Sequence, residues 1–162
     1  MADGRKHPLL KTGSHAPEFT LQRLDGPHET LREIVARGPA VLAFYKVNCP
    51  VCQMTFPFLQ RLHSAGRLPV YGISQNGPED TNDFNRHFGI SLPTLLDTQA
   101  SGFPASNAFG ISSVPTLFVV ETDGTVSRVI EGWHKYDIAQ LGERAGVQPF
   151  QPGDSVPEAK AG

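Results

Sequence analysis

The chain has 162 residues, enough for one domain with a sizeable core. Its formal net charge of -2 gives no electrostatic footing for nucleic acid or an anionic membrane surface. Apolar residues make up 39%, below an average domain, because 16 Gly and 14 Pro crowd the loops and the two ends.

The polar start, Met1-Ala-Asp-Gly-Arg-Lys-His, has no apolar run behind it and does not read as a secretory signal. A bacterial cytoplasmic location is therefore expected, unless a leader has been removed. Residues 1–12 read as a disordered N-terminal arm, 13–148 as one domain, and 149–162 as a flexible C-terminal tail rich in Pro, Gly and Ala. Glu18 to Gln22 is a short candidate strand. Leu31 to Ala36 is a candidate helix, stopped by Gly38-Pro39. Ala40 to Tyr45 is a continuous apolar run, as in a strand buried on both faces.

From Pro50 to Ala65 the residues Val51, Met54, Phe58 and Leu62 recur at helical spacing, and Gly66 can close the helix. Pro69 to Ser74 reads as a strand, Glu79 to Phe88 as a helix ending at Gly89, and Leu95 to Asp97 as a short strand. Ala100 to Phe109 reads as one helix. Thr116 to Glu121 and Thr125 to Ile130 flank Thr122-Asp123-Gly124, a β-hairpin signal. Tyr136 to Ala145 is the final helix. Strand–helix–strand units predict a parallel core sheet with covering helices, and the hairpin adds antiparallel strands. The longest apolar stretches, Val41 to Tyr45 and Leu117 to Val120, fall far short of the ~20 residues that cross a bilayer.

The chain's 2 cysteines, Cys49 and Cys52, stand three apart, between the buried run and the helix. A structural disulfide there would close a tiny loop and staple little. A structural zinc site needs four ligands, and none of the His residues forms a second pair at suitable spacing. Placement at a helix start points to chemistry. Orphan amides and the helix dipole favour an anion at that end, here the Cys49 thiolate. Pro50 suits the first helical position because it has no N–H to lose, and Val51 follows it at the helix start. Cys52, one turn in, is expected to be more buried and less reactive. Cys49 then serves as the nucleophile and Cys52 as the resolving thiol.

The segment Phe44-Tyr-Lys-Val-Asn-Cys-Pro-Val-Cys-Gln-Met-Thr-Phe-Pro resembles the active-site stretch of thioredoxin-like proteins. Pro57 matches the proline that kinks that helix in the family. Ser113-Val114-Pro115-Thr116 resembles the loop that carries the family's cis-proline, and Ala16-Pro17-Glu18-Phe19-Thr20-Leu21 with Leu24-Asp25-Gly26 is similar to the start of its redoxin branch. That branch includes the alkyl hydroperoxide reductase/thiol-specific antioxidant superfamily and the cytochrome-maturation thioredoxins. The resemblance implies an α/β fold, a thioredoxin-like three-layer sandwich with a central mixed sheet and helices on both faces. It implies a thiol–disulfide oxidoreductase in cell redox homeostasis, with Val114, Pro115 and Thr116 binding substrate and a cis Val114–Pro115 bond.

Three positions depart from relatives. Ala43 stands where many thioredoxins carry a buried acid, Thr55 where cytochrome-maturation relatives carry Glu, and Asn48 where an aromatic residue is common. No proton acceptor for Cys52 is evident, although Lys46 stands close in sequence. Two alternatives stand beside this reading. A peroxiredoxin-like peroxidase needs Pro and Thr or Ser upstream of its thiol, where Cys49 has Leu42 and Lys46, and Cys52 has Tyr45 and Cys49. A copper-binding thioredoxin-like chaperone would use the soft thiolates and a distant His, for which His134 is the candidate. The expected activity is reduction of protein disulfides by a monomer, with no cofactor and no metal. Its expected partners are a disulfide-containing protein or small thiol substrate and an electron-donor reductase, with no nucleic acid and no membrane.

Overall fold

A computed structural model describes residues 5–162; residues 1–4 of the expected arm lie outside the described residues. The strands are β1 (Thr20–Arg23), β2 (His28–Thr30), β3 (Ala40–Tyr45), β4 (Val70–Ser74), β5 (Thr94–Leu96), β6 (Thr116–Val120), β7 (Val126–Glu131), β8 (Trp133–His134) and β9 (Ala159–Lys160). The helices are α1 (Leu31–Ala36), α2 (Pro50–Ser64), α3 (Pro78–Phe88), α4 (Pro104–Phe109) and α5 (Lys135–Ala145). Seven strands form one mixed sheet in the order β2-β1-β5-β4-β3-β6-β7. β3, β4 and β5 run parallel, whereas β6 and β7 on one side and β1 and β2 on the other are antiparallel.

The apolar run of β3 lies inside the sheet between β4 and β6, and all six of its residues are fully buried. Neighbouring side chains of a strand point to opposite faces, and here each finds a helix. The Phe44 ring meets Phe109 of α4 at 5.3 Å, while Tyr45 meets Phe56 of α2 at 4.1 Å and Phe84 of α3 at 5.1 Å. Helices therefore cover both faces, as expected of a thioredoxin-like sandwich.

The expected helix over 100–109 is divided. Residues Gln99–Ser101 make a single 3-10 turn, Gly102 and Phe103 take left-handed backbone (φ 81° and 49°), and α4 restarts at Pro104. Proline has no amide to continue the first turn, and it disfavours helical backbone at Phe103 before it. β2, β8 and β9 are too short to show an alternating pattern and had no sequence signal.

The arm and the tail carry the composition of flexible segments, yet their described residues lie against the domain. The amides of His7 and Leu10 donate to the carbonyls of Asn107 and Phe109 at the end of α4. The Phe150 ring packs tilted against Phe58 at 5.4 Å and edge-on against Trp133 at 6.3 Å. Arg61 bridges to Asp154 (2.7 Å) and donates to the Pro149 carbonyl (2.8 Å). The buried Trp133 indole N–H donates to the Pro157 carbonyl (2.7 Å). A single aromatic and a single charge give 149–162 partners that its Pro- and Gly-rich composition conceals. Trp133→Phe should keep an aromatic ring beside Phe58 and Phe150 but remove that donor and leave a small void, costing about 2 kcal/mol. A urea melt reads this as a lower midpoint, and an unchanged midpoint would mean that water takes the lost donor's place at the Pro157 carbonyl.

Candidate active site

The β3–α2 junction builds the site. Cys49 has extended backbone (φ -92°, ψ 113°) and is the N-cap of α2, with Pro50 at the first helical position. Its carbonyl accepts the Gln53 amide at 3.0 Å, the first turn of the helix. Its Sγ accepts the Cys52 amide at 3.1 Å, so the sulfur replaces the oxygen that Ser or Asp supplies at most caps. This amide is one of the orphan donors of a helix start, and a thiolate accepts it better than a thiol does. Cys49 is half-buried and Cys52 fully buried, with both sulfurs free. Pro50 is exposed, and Val51 is buried, with 7% of its surface open.

Two residues without a sequence signal hold the loop before the thiol. Asn76 Oδ1 accepts the Val47 amide at 3.0 Å, and Gln53 Nε2 donates to the Val47 carbonyl at 3.0 Å. Both polar groups of Val47 are thus paired, and the turn from Lys46 to Cys49 is clamped from α2 and from the end of β4. Gln53 reads as one more polar helix residue, and Asn76 as one more loop residue. Only their approach in space gives them a role.

The loop 113–116 lies opposite. The Val114–Pro115 bond is cis. The Val114 carbonyl oxygen stands 3.4 Å from Cys49 Sγ, within reach of a thiol S–H. Thr116 is buried in β6 between Phe44 and Glu131, and its hydroxyl donates to the Ser113 carbonyl at 2.8 Å. Its side chain therefore closes the loop on itself. Val114 is the loop residue whose backbone meets the Cys49 sulfur.

Burial pushes the Cys52 thiol up from its ordinary value, and the neighbouring Cys49 thiol adds to the rise. Thr55 cannot answer it as an acid would, since its hydroxyl is bound to the Val51 carbonyl at 2.7 Å. Lys46 is exposed, and its carbonyl accepts the Cys49 amide at 3.3 Å. His134 Nε2 lies 2.8 Å from the Glu131 carbonyl. Among the described residues no three His, Cys, Asp or Glu side chains gather as a metal site.

The AhpC/TSA family model matches residues 12–129. The thiol-disulfide oxidoreductase ResA of Geobacillus thermodenitrificans is 28% identical over 136 residues, covering 81% of this chain and 76% of that protein. The ResA of Bacillus subtilis is 26% identical over 127 residues, covering 76% and 69%. Among solved structures, the thioredoxin domain of a thiol-disulfide oxidoreductase from Bacteroides vulgatus superposes with a TM-score of 0.73 at 20% identity, covering 83% of this chain and 97% of that one. A secreted Mycobacterium tuberculosis disulfide oxidoreductase homologous to E. coli DsbE gives 0.65 at 20% identity, covering 79% and 94%.

These likenesses overturn the cytoplasmic expectation, because the proteins this chain resembles include an oxidoreductase that is secreted. The physical reason is that a leader is separate from the folded domain. Thiol exchange depends on the local helix-start geometry, which is the same in any compartment, so neither polarity nor charge of the domain reports its location. Among the described residues no helix is long and apolar enough to cross a membrane.

Proposed function

The chain belongs to the AhpC/TSA family and is a thiol–disulfide oxidoreductase, and within that activity we propose that it reduces protein disulfides outside the cytoplasm, with Cys49 as nucleophile and Cys52 as resolving thiol. The observation that carries this reading is the capping contact: Cys49 Sγ is half-open and held by the Cys52 amide, while the second sulfur is sealed one turn behind it.

The Cys49 thiolate attacks one sulfur of the substrate disulfide and expels the other as a thiolate, leaving a mixed disulfide. Cys52 loses its proton and attacks Cys49 Sγ, and the second substrate sulfur leaves. Two electrons pass to the substrate, and Cys49–Cys52 is left as a disulfide. A thiol reductase returns the pair to the dithiol for the next turn. Val114 and Pro115 present backbone to an extended stretch of substrate beside the sulfur, while Thr116 holds their loop. The chain acts as a monomer, in keeping with a surface on which Tyr136 is the large apolar side chain left exposed among the described residues.

The test is redox titration of the Cys49–Cys52 pair, together with limited alkylation of the reduced protein at mildly acidic pH. A potential of roughly -270 mV is expected of a reductase, and one of roughly -120 mV would make the chain an oxidant instead. Peptide mapping should find the label on Cys49 first. Preferential labelling of Cys52 would reverse the two roles.

A further inference from the structure

We propose that residues 159–162 lie across the backbone that receives substrate, as a displaceable strand that masks Val114 until a protein substrate takes its place. This rests on the functional reading above, in which Val114 and Pro115 bind an extended stretch of substrate.

β9 pairs antiparallel with β8, with Ala159 opposite His134 and Lys160 opposite Trp133. β8 directly follows β7, whose neighbour Gly132 donates its amide to the Pro115 carbonyl at 2.8 Å. The added strand is therefore led to the proline loop. It passes Gly132 so closely that a Cβ there would stand 2.6 Å from the Lys160 carbonyl and 3.3 Å from the Gly162 amide nitrogen. At Gly162 the approach is closer still. A Cβ on that residue would overlap the Val114 carbonyl oxygen and stand 3.2 Å from Pro115 N. Only glycine brings its backbone so near this oxygen. The same oxygen is the one 3.4 Å from Cys49 Sγ. Val114 and Pro115 are both buried as a result of their surroundings, although they stand beside a half-open thiol.

The two halves of the segment are held differently. Upstream, the Pro157 carbonyl accepts the Trp133 indole and the Glu158 carbonyl accepts the Lys135 amide at 2.9 Å. Beyond Glu158 the strand is two residues long, and residues 159–162 are all exposed. A ladder so short is marginal by itself and opens at little cost. An extended substrate offers the same backbone groups to the same edge and adds a covalent bond at Cys49. A small disulfide needs no edge.

Two variants test this, one deleting residues 159–162 and one, Lys160→Pro, which keeps the length but puts a residue without an N–H in the ladder. Each is assayed for reduction of insulin, as the protein disulfide, and of 5,5′-dithiobis(2-nitrobenzoic acid), as the small one. If the edge is free about one-tenth of the time, unmasking raises kcat/KM for insulin about tenfold and leaves the small disulfide within about twofold. Equal or lower insulin rates in both variants, with unchanged melting, would overturn the mask and leave the oxidoreductase reading intact. Failure of wild type and variants alike to reduce either disulfide would remove that reading instead. Hydrogen exchange gives an independent measure. Residues 159–162 should lose protection when Cys52→Ser holds a peptide in mixed disulfide, and retained protection would also overturn the mask.

Discussion

Cys52→Ser should hold its substrate covalently, and Cys49→Ser should lose disulfide reduction by at least about a thousandfold, the scale on which removing a nucleophile acts. The asymmetry follows from the cap. Cys49 is the half-open sulfur, held by the Cys52 amide and facing the Val114 carbonyl. Cys52 is sealed in the first turn of α2 with none of its surface exposed, so a substrate disulfide cannot reach it. A serine at 52 leaves the first attack untouched, because the donor to Cys49 Sγ is the backbone amide of residue 52 and not its side chain. The mixed disulfide then has no internal thiol to resolve it. Intact-mass measurement after mixing with insulin should show the adduct with Cys52→Ser, and none with Cys49→Ser. Multiple turnovers by Cys52→Ser at the wild-type rate would remove the resolving role from that residue.

Ala43→Asp should speed the resolving step at neutral pH and cost stability. Burial raises the Cys52 thiol above its ordinary value of 9.0, and the Cys49 thiol raises it further. Only a thiolate attacks, so in the wild type the step should quicken about tenfold for each unit of pH through the neutral range. Ala43 shares with Tyr45 the face of β3 on which α2 lies, and it is fully buried between Gly72 and Leu117. A carboxylate there would sit on the Cys52 side of the sheet and could take the proton, which should flatten the pH dependence. An unpaired buried acid should lower stability by about 3 kcal/mol. Stopped-flow measurement of release across pH reads the first effect and a urea melt the second. Equal release rates in both proteins would show that another group already accepts the proton. Because folding raises this thiol, its contribution to stability is fully present below 9.0 and is lost as pH climbs above it. Cys52→Ser should not share that loss.

Much of the fold was legible because some segments are committed by their own residues. Six consecutive apolar residues from Ala40 to Tyr45 have few solutions other than a strand covered on both sides. Thr122-Asp123-Gly124 between two apolar runs closes a hairpin locally, and the Glu121 amide does bond to the Thr125 carbonyl at 2.9 Å. Cys49-Pro50-Val51-Cys52 between strand and helix carries its own chemistry, since the cap, the orphan amides and the three-residue step all lie within one turn.

What only the tertiary structure decided are the relations between distant segments. The helix expected at 100–109 breaks because left-handed backbone at Phe103 and the ring of Pro104 outweigh helical propensity, which composition averages over. Asn76 and Gln53 clamp Val47 from two different elements, and no local pattern marks a residue whose partner lies in another segment. The segment 149–162 reads as a tail by composition, yet Phe150, Asp154 and the Pro157 carbonyl each meet a partner far away in the chain. A sequence determines an element when the forces that hold it act between near neighbours; the Val114 edge and the strand across it arise from contacts that exist only once the chain has closed on itself.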